Sequence, residues 1–237
     1  KIEKILVEEM SFQVIGGGDF RYDNGSRIGV EHTDRGVYVE DIAANEIQEA
    51  SYGAFVEATW YATDTLRVIG GIRGDYYDFD ASALNALSVS GSATDSRVSP
   101  KIALAWQAMD DLELYANWGR GFHSNDARGV VNSVDPVPGL SPGEGRELGA
   151  RLTVGDFKFT SSYWWLEQDS ELIFVGDSNS VEPKGGSERN GYELTMFWQP
   201  VSWLGVDAVY THSEARYVNN PDGKFVEGAV EEAGQIG

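Results

Sequence analysis

The chain has no cysteine, which excludes a disulfide framework and any thiolate metal site. Histidine is nearly absent as well. His32, His123 and His212 are the three it has, too far apart in sequence for zinc-like ligand spacing, so no metal centre and no cofactor are expected. No stretch reaches the roughly 20 consecutive apolar residues of a membrane-spanning helix, which excludes a helical membrane protein. Basic residues are few, 18 Lys and Arg against 38 Asp and Glu, and the formal net charge is −20. Phosphate recognition needs a basic surface, so nucleic acid is excluded as a partner. The opening segment KIEKILVEEM lacks the apolar core and small-residue cleavage site of a signal peptide. The expectation is a cytosolic protein or an internal piece of a longer precursor.

What the chain does have is glycine (28 residues) and aromatics (12%), with little proline (7), the profile of an all-β chain with many turns. The segment Arg97 to Arg128 shows the pattern most clearly. Ile102, Leu104 and Trp106 alternate with Lys101, Ala103, Ala105 and Gln107. After Asp110 and Asp111, Leu112, Leu114, Ala116 and Trp118 alternate with Glu113, Tyr115, Asn117 and Gly119. Such a period of two gives each strand one apolar and one polar face. The same alternation recurs over Ser51 to Tyr61, Leu66 to Tyr77, Phe157 to Trp165, Tyr192 to Gln199 and Leu204 to Thr211, with less regular strands near Phe12–Arg21 and Arg27–Thr33. EDIAANEIQEA comes nearest to helical spacing; a loop or single helical turn is expected there.

Connections alternate in length. Tight turns fall at Ala62–Thr65, Asp110-Asp111, Gly155-Asp156 and Pro200–Trp203, and long polar loops at Ala81–Asp95, His123–Gly143, Gly176–Gly186 and Val218–Lys224. In an antiparallel meander the two sets lie at opposite ends, an asymmetry found in transmembrane β-barrels. Aromatics gather near strand ends, at Trp60-Tyr61, Trp106, Trp198 and Trp203 beside short turns and at Tyr76, Tyr77 and Phe79 beside a loop, as interfacial girdles do. A soluble β-sandwich or barrel also alternates. The strand lengths and persistent loop asymmetry favour the membrane barrel, with Leu66, Val68, Ile72, Leu104, Leu114, Leu194 and Val206 toward lipid.

The run SPKIALAW, LELYANWGRGFHSNDARG, GRELGARL, DSELIFVGD and RNGYELTMFWQP, in this order, resembles the C-terminal half of the barrel of TonB-dependent outer-membrane receptors. The resemblance implies an all-β, antiparallel up-and-down transmembrane barrel of which this chain is about half of a 22-stranded whole. It further implies a location in the bacterial outer membrane, no enzymatic activity, a monomer, and uptake of a scarce nutrient, most often a ferric siderophore, powered through TonB. Residues 1–237 would then be a partial barrel domain, because neither a plug with its TonB-binding segment nor a terminal strand ending in an aromatic residue is evident. Half a barrel leaves open edges that lipid does not satisfy, so the piece is not expected to transport by itself. A porin or adhesin, a passive barrel, would show the same alternation.

Two residue sets are candidates for function. Arg120, His123, Asn125, Asp126 and Arg128 concentrate at one strand end, where cationic and hydrogen-bonding groups could hold an anionic ferric chelate; alternatively Asp126 and the arginines pair to order the loop. Arg67, Arg73, Asp75, Glu113, Glu193 and Asp207 share the polar face and would line a lumen, either contacting plug and substrate or forming a hydrated wall of paired charges. Catalysis has no support. Ser, His and Asp in HSND are adjacent in sequence, which is not triad geometry, and Gly16-Gly17-Gly18 lacks the strand, turn and helix of a phosphate loop.

Overall fold

The computed structural model describes residues 3–6, 12–170, 172–175, 180–183 and 186–218. In chain order the elements are β1 (Glu3–Leu6), β2 (Phe12–Asp34), β3 (Val37–Tyr61), β4 (Leu66–Ala83), β5 (Gly91–Met109), β6 (Leu112–Ser124), α1 (Ala127–Val130), β7 (Leu140–Val154), β8 (Phe157–Gln168), β9 (Leu172–Val175), β10 (Ser180–Pro183), β11 (Gly186–Val201) and β12 (Leu204–Val218). Ten of the strands form one open antiparallel sheet in the order β1-β2-β3-β4-β5-β6-β7-β8-β11-β12, while β9 and β10 make a separate hairpin. Apart from that inserted hairpin, each strand pairs with its neighbour in sequence. This is the up-and-down meander that the alternation of turns and loops predicts.

Several strands run longer than sequence periodicity suggests. At about 3.3 Å per residue, the 25 residues of β3 would extend roughly 80 Å, whereas about 9–11 tilted residues cross a bilayer. The extra length resolves three expectations differently. The acidic stretch Glu40–Ala50 is neither loop nor helical turn but the middle of β3, because it is hydrogen-bonded on both flanks, to β2 and partly to β4. Phe12–Arg21 and Arg27–Thr33 are one strand, interrupted by a bulge between Gly25 and Ile28, and the β2–β3 turn is made by Arg35 and Gly36, both at positive φ, as a tight hairpin requires. The polar segments Ala81–Asp95 and His123–Gly143 shrink to residues 84–90 and 125–139, since backbone pairing continues into them. Much of Gly176–Gly186 and nearly all of Val218–Lys224 lie outside the described residues.

Residues directly opposite in an antiparallel pair share a face. The register strings together Val56, Ile72 and Pro100 in one row, Val68, Leu104, Ala116 and Leu148 in another, and Trp118, Arg146 and Trp165 nearer the long-loop end. Much of this apolar face is open: Ile72 and Ile102 are 50% exposed and Leu148 is 55% exposed. Rings bracket it at both ends. Phe12 stacks on Trp60 at 6.0 Å between centroids beside the short turns, and Phe20–Tyr52 (5.0 Å), Tyr52–Tyr76 (6.4 Å) and Tyr163–Trp165 (4.4 Å) lie toward the long loops.

The buried cluster is small and sits at the long-loop end. Ile47, Phe79 and Ala81 from β3 and β4 pack with Ala127, Val130, Val131 and Val137 from the 125–139 connection and with Leu140 at the start of β7. Beyond the Lys101–Gly119 pair, β5 and β6 no longer bond each other, and the connection fills that space. Leu140 donates its N–H to Asp95 Oδ2 at 2.9 Å, and its carbonyl accepts from Arg97. Gly139 is required where it stands: a Cβ there would lie 2.7 Å from the Phe79 ring.

Candidate functional site

The six polar-face candidates fall on one face, opposite the apolar rows. Arg67 is across from Ala105, Arg73 from Phe55 and Ser99, Asp75 from Gly53 and Arg97, Glu113 from Gln107 and Arg151, Glu193 from Ser162 and Thr211, and Asp207 from Phe197. Four of them enter ion pairs, and those of Arg67, Arg73 and Glu113 step over a strand. Arg73 bridges Asp75 on its own strand and Asp19 on β2, with contacts of 2.6 and 2.8 Å. It reaches across Gly53, where a Cβ would stand 2.0 Å from Arg73 Nη2. Glu113 takes Arg67 at 2.5 Å with one oxygen and Arg151 at 2.7 Å with the other. Glu193 and Asp207 lie toward the β11–β12 edge and form no ion pair among the described residues.

Sequence reading missed other members of this wall. Lys101 pairs with Glu57 over Gly71, whose Cβ would meet Lys101 Cε at 2.9 Å. Arg151 also stacks over the Tyr115 ring at 4.3 Å. Tyr115 Oη and Asn117 Nδ2 donate to the two oxygens of Glu147 at 2.9 and 3.0 Å. The available signal was parity: Glu147 and Arg151 alternate with Leu148, Ala150 and Leu152 as Glu113 does with Leu112 and Leu114.

The strand-end candidates do not converge on one point. Arg120 keeps the side of Trp118, lying 6.0 Å over its ring, and pairs with Glu144, which also holds Arg146. Bonds from Trp118, Arg146 and Arg120 hold the Glu144 carboxyl down at about 2. His123 Nε2 is 3.1 Å from Asn125 Oδ1, and the Asn125 amide donates to the Pro138 carbonyl at 2.7 Å. Asp126 caps α1 by accepting from the Arg128 N–H, and its carboxylate also takes the Arg128 guanidinium at 2.6 and 2.8 Å. Burial opposes ionisation of Asp126, yet these bonds leave its pKa below the ordinary aspartate value. Nearby Glu49 is shifted the other way, up, by burial and by the charges of Asp126 and Asp23. Asp126 and Arg128 thus pair with each other within the connection.

No group of three or more His, Cys, Asp and Glu side chains has metal-binding geometry among the described residues.

Residues 8–232 match the family model described as TonB dependent receptor-like, beta-barrel. A curated relative, an uncharacterized TonB-dependent receptor of Haemophilus influenzae, is 21% identical over 182 residues, covering 74% of this chain and 52% of that protein. Among solved structures, the ferric yersiniabactin uptake receptor of Yersinia pestis superposes with a TM-score of 0.74 at 15% identity, over 92% of this chain and 34% of its own. The ferric-catecholate import receptor Fiu of E. coli K12 gives 0.74 at 14% identity, over 98% and 39%. The chain therefore spans about half the length of the curated relative and little more than a third of these solved chains. With the meander, its two-faced strands and a family match over nearly its whole length, the chain belongs to the TonB-dependent receptor β-barrel family.

Proposed function

We propose that this chain is part of the barrel of an outer-membrane receptor that takes up a scarce nutrient, a metal chelate of the ferric siderophore kind, with energy delivered through TonB. It is a transport receptor and not an enzyme. In this reading the apolar face meets outer-membrane lipid, the polar face lines the lumen, short turns face the periplasm and the 125–139 connection lies outside. Residues 1–237 belong to the barrel domain of a longer monomeric receptor. The rest of that receptor completes the wall and supplies the plug that TonB engages. The coverage of the relatives supports this, as does the need to satisfy both sheet edges in lipid.

One observation carries the reading. A broad apolar face, bracketed by aromatic rows, backs onto a face of strand-skipping ion pairs. In water that arrangement would leave a large apolar surface uncovered, whereas in a bilayer both faces are matched to their surroundings. The relatives' printed roles, uptake of ferric yersiniabactin and import of ferric catecholates, point to chelated iron as the cargo class. The test is a strain lacking the complete gene, fractionated and grown on defined iron sources. Recovery in the outer membrane and a growth defect on at least one ferric chelate are expected. Unchanged growth on every chelate would refute the uptake role, and recovery in the soluble fraction would refute the barrel.

A further inference from the structure

We infer that the outer end of the β6–β7 hairpin, with its 125–139 connection, is a fixed inward sill: it crosses to the lumenal side of β3–β5 and stays docked there while cargo passes. This deepens, and rests on, the proposed uptake role. The crossing is read from which faces touch. By register, Phe122 and Leu140 continue the apolar side of Trp118 and Leu148 on β6 and β7, whereas Tyr77 and Phe79 continue the polar side of Arg73 and Asp75 on β4. Yet Phe122 meets Tyr77 edge-on at 5.8 Å between ring centroids, and Leu140 packs in the cluster around Phe79. An outward face rests on an inward face only where one layer has passed in front of the other. β6 leaves β5 beyond the Lys101–Gly119 pair, and from there the hairpin end leans across the mouth.

The hairpin end is also firmly held. Moving lids come from the parts of a fold with few buried apolar contacts. This segment has the reverse character, with Ala127, Leu140 and the Phe79 beneath them all 0% exposed. Its neck is tied as well. Leu140 is gripped through both backbone groups, by Asp95 and Arg97 of β5. Asn125 donates its backbone N–H to the Gly139 carbonyl at 2.9 Å and its side-chain amide to the Pro138 carbonyl, and the Val137 N–H reaches the Gly129 carbonyl at 3.2 Å. Lifting the sill would uncover Ile47, Phe79 and Ala81 and leave Asp95 and Arg97 without these partners. Wall and sill are fitted closely: a Cβ at Gly91 of β5 would stand 3.0 Å from the Val131 carbonyl oxygen, and one at Gly139 2.7 Å from the Phe79 ring. The sill therefore fixes one side of the mouth, and the opening for cargo lies on its other side.

The same close fit supplies the test. A Cβ at Gly91 would lie 3.3 Å from the Val131 Cβ, near the roughly 3.5–4.5 Å that a disulfide spans. Gly91→Cys with Val131→Cys in the complete receptor should therefore cross-link under mild oxidant, and failure to do so in an assembled receptor would overturn the docking. Cells with this as their only candidate iron receptor are then given a ferric trihydroxamate and a ferric tris-catecholate. Clamping a part that does not move should leave the rate of whichever chelate is carried within about twofold of that of the reduced receptor. Uptake lost on oxidation and restored by dithiothreitol would overturn the inference and leave the uptake role standing. A second readout needs no cargo. Val131→Cys alone should react with a membrane-impermeant maleimide about tenfold or more slowly than the same variant carrying Phe79→Ala, in resting and energised cells alike. Faster labelling on energisation would overturn the sill. Uptake of neither chelate by the reduced receptor, present in the outer membrane, would count against the uptake role and leave the labelling to decide the sill.

Discussion

Phe79→Ala should release the 125–139 connection without unfolding the barrel. Phe79 and Leu140 are both 0% exposed, and the cluster around them is the buried core that fastens this segment to β3 and β4. Truncating a buried Phe costs about 3–5 kcal/mol, partly as lost transfer energy and partly as the cavity left behind. The main sheet is held by ladders far from this cluster, so the loss falls on the local opening of the connection. At about 1.4 kcal/mol per factor of ten in an equilibrium, the opened population should rise on the order of 100-fold or more. Amide exchange on the complete receptor in detergent reads this directly. Amides whose protection rests on the segment, such as Asn125 to the Gly139 carbonyl and Val131 to the Ala127 carbonyl, should exchange faster by that factor, with β4–β5 ladder amides unchanged. If exchange in 125–139 is unaffected, or rises equally across the sheet, the reading of this cluster as a local fastener is wrong.

Three further outcomes follow from the same geometry. The pKa of Glu49 is raised, so its stabilisation of the connection is fully present below its unfolded pKa and is lost as pH rises through its folded value. That of Asp126 is lowered, so its contribution is present above the unfolded value and lost as pH falls through the folded one. Protection of the connection should therefore increase from neutral into mildly acidic pH and fall below roughly pH 4, and Glu49→Gln should flatten the first limb; a first limb unchanged in that variant would refute the role of Glu49. Asp126→Ala removes the α1 cap and the Arg128 pair and should cost about 1 kcal/mol of local stability; equal exchange of the Gly129 and Val130 amides in variant and parent would contradict it. Gly53→Val places atoms where Arg73 lies and should cost about 1–3 kcal/mol through overpacking, read as an earlier urea midpoint by gel mobility of unheated receptor.

How much of this was legible depended on whether the signal was local. The faces of β4, β5 and β6 could be read because Ile72, Leu104 and Leu114 repeat every second residue, and the register then carried Arg67, Arg73, Asp75, Glu113, Glu193 and Asp207 to one side together. Strand ends were less legible. Toward the long-loop end alternation fades, and composition such as that of Ala81–Asp95 looks like loop although backbone pairing continues through much of it. The stretch Glu40–Ala50 misled for the same reason, its spacing being overridden by ladders on its flanks. Ion-pair partners were out of reach. Arg73 meets Asp19 across 54 positions and Arg67 meets Glu113 across 46, separations set by register and by glycines that let side chains cross strands. Arg120 and Arg128 share a strand end but stand on different sides, because Arg120 follows Trp118 to the opposite side of β6.

The central claim, that the two faces of this sheet meet lipid and water, is tested most directly by spin-label accessibility. The native chain contributes no cysteine, so single cysteines at Lys101, Ile102, Ala103, Leu104 and Ala105 of the complete receptor would each report one position. Ile102 and Leu104 should collide preferentially with oxygen dissolved in lipid, and Lys101, Ala103 and Ala105 with a water-soluble paramagnetic complex, alternating with a period of two. The opposite phase, or uniform water accessibility across all five, would contradict the account.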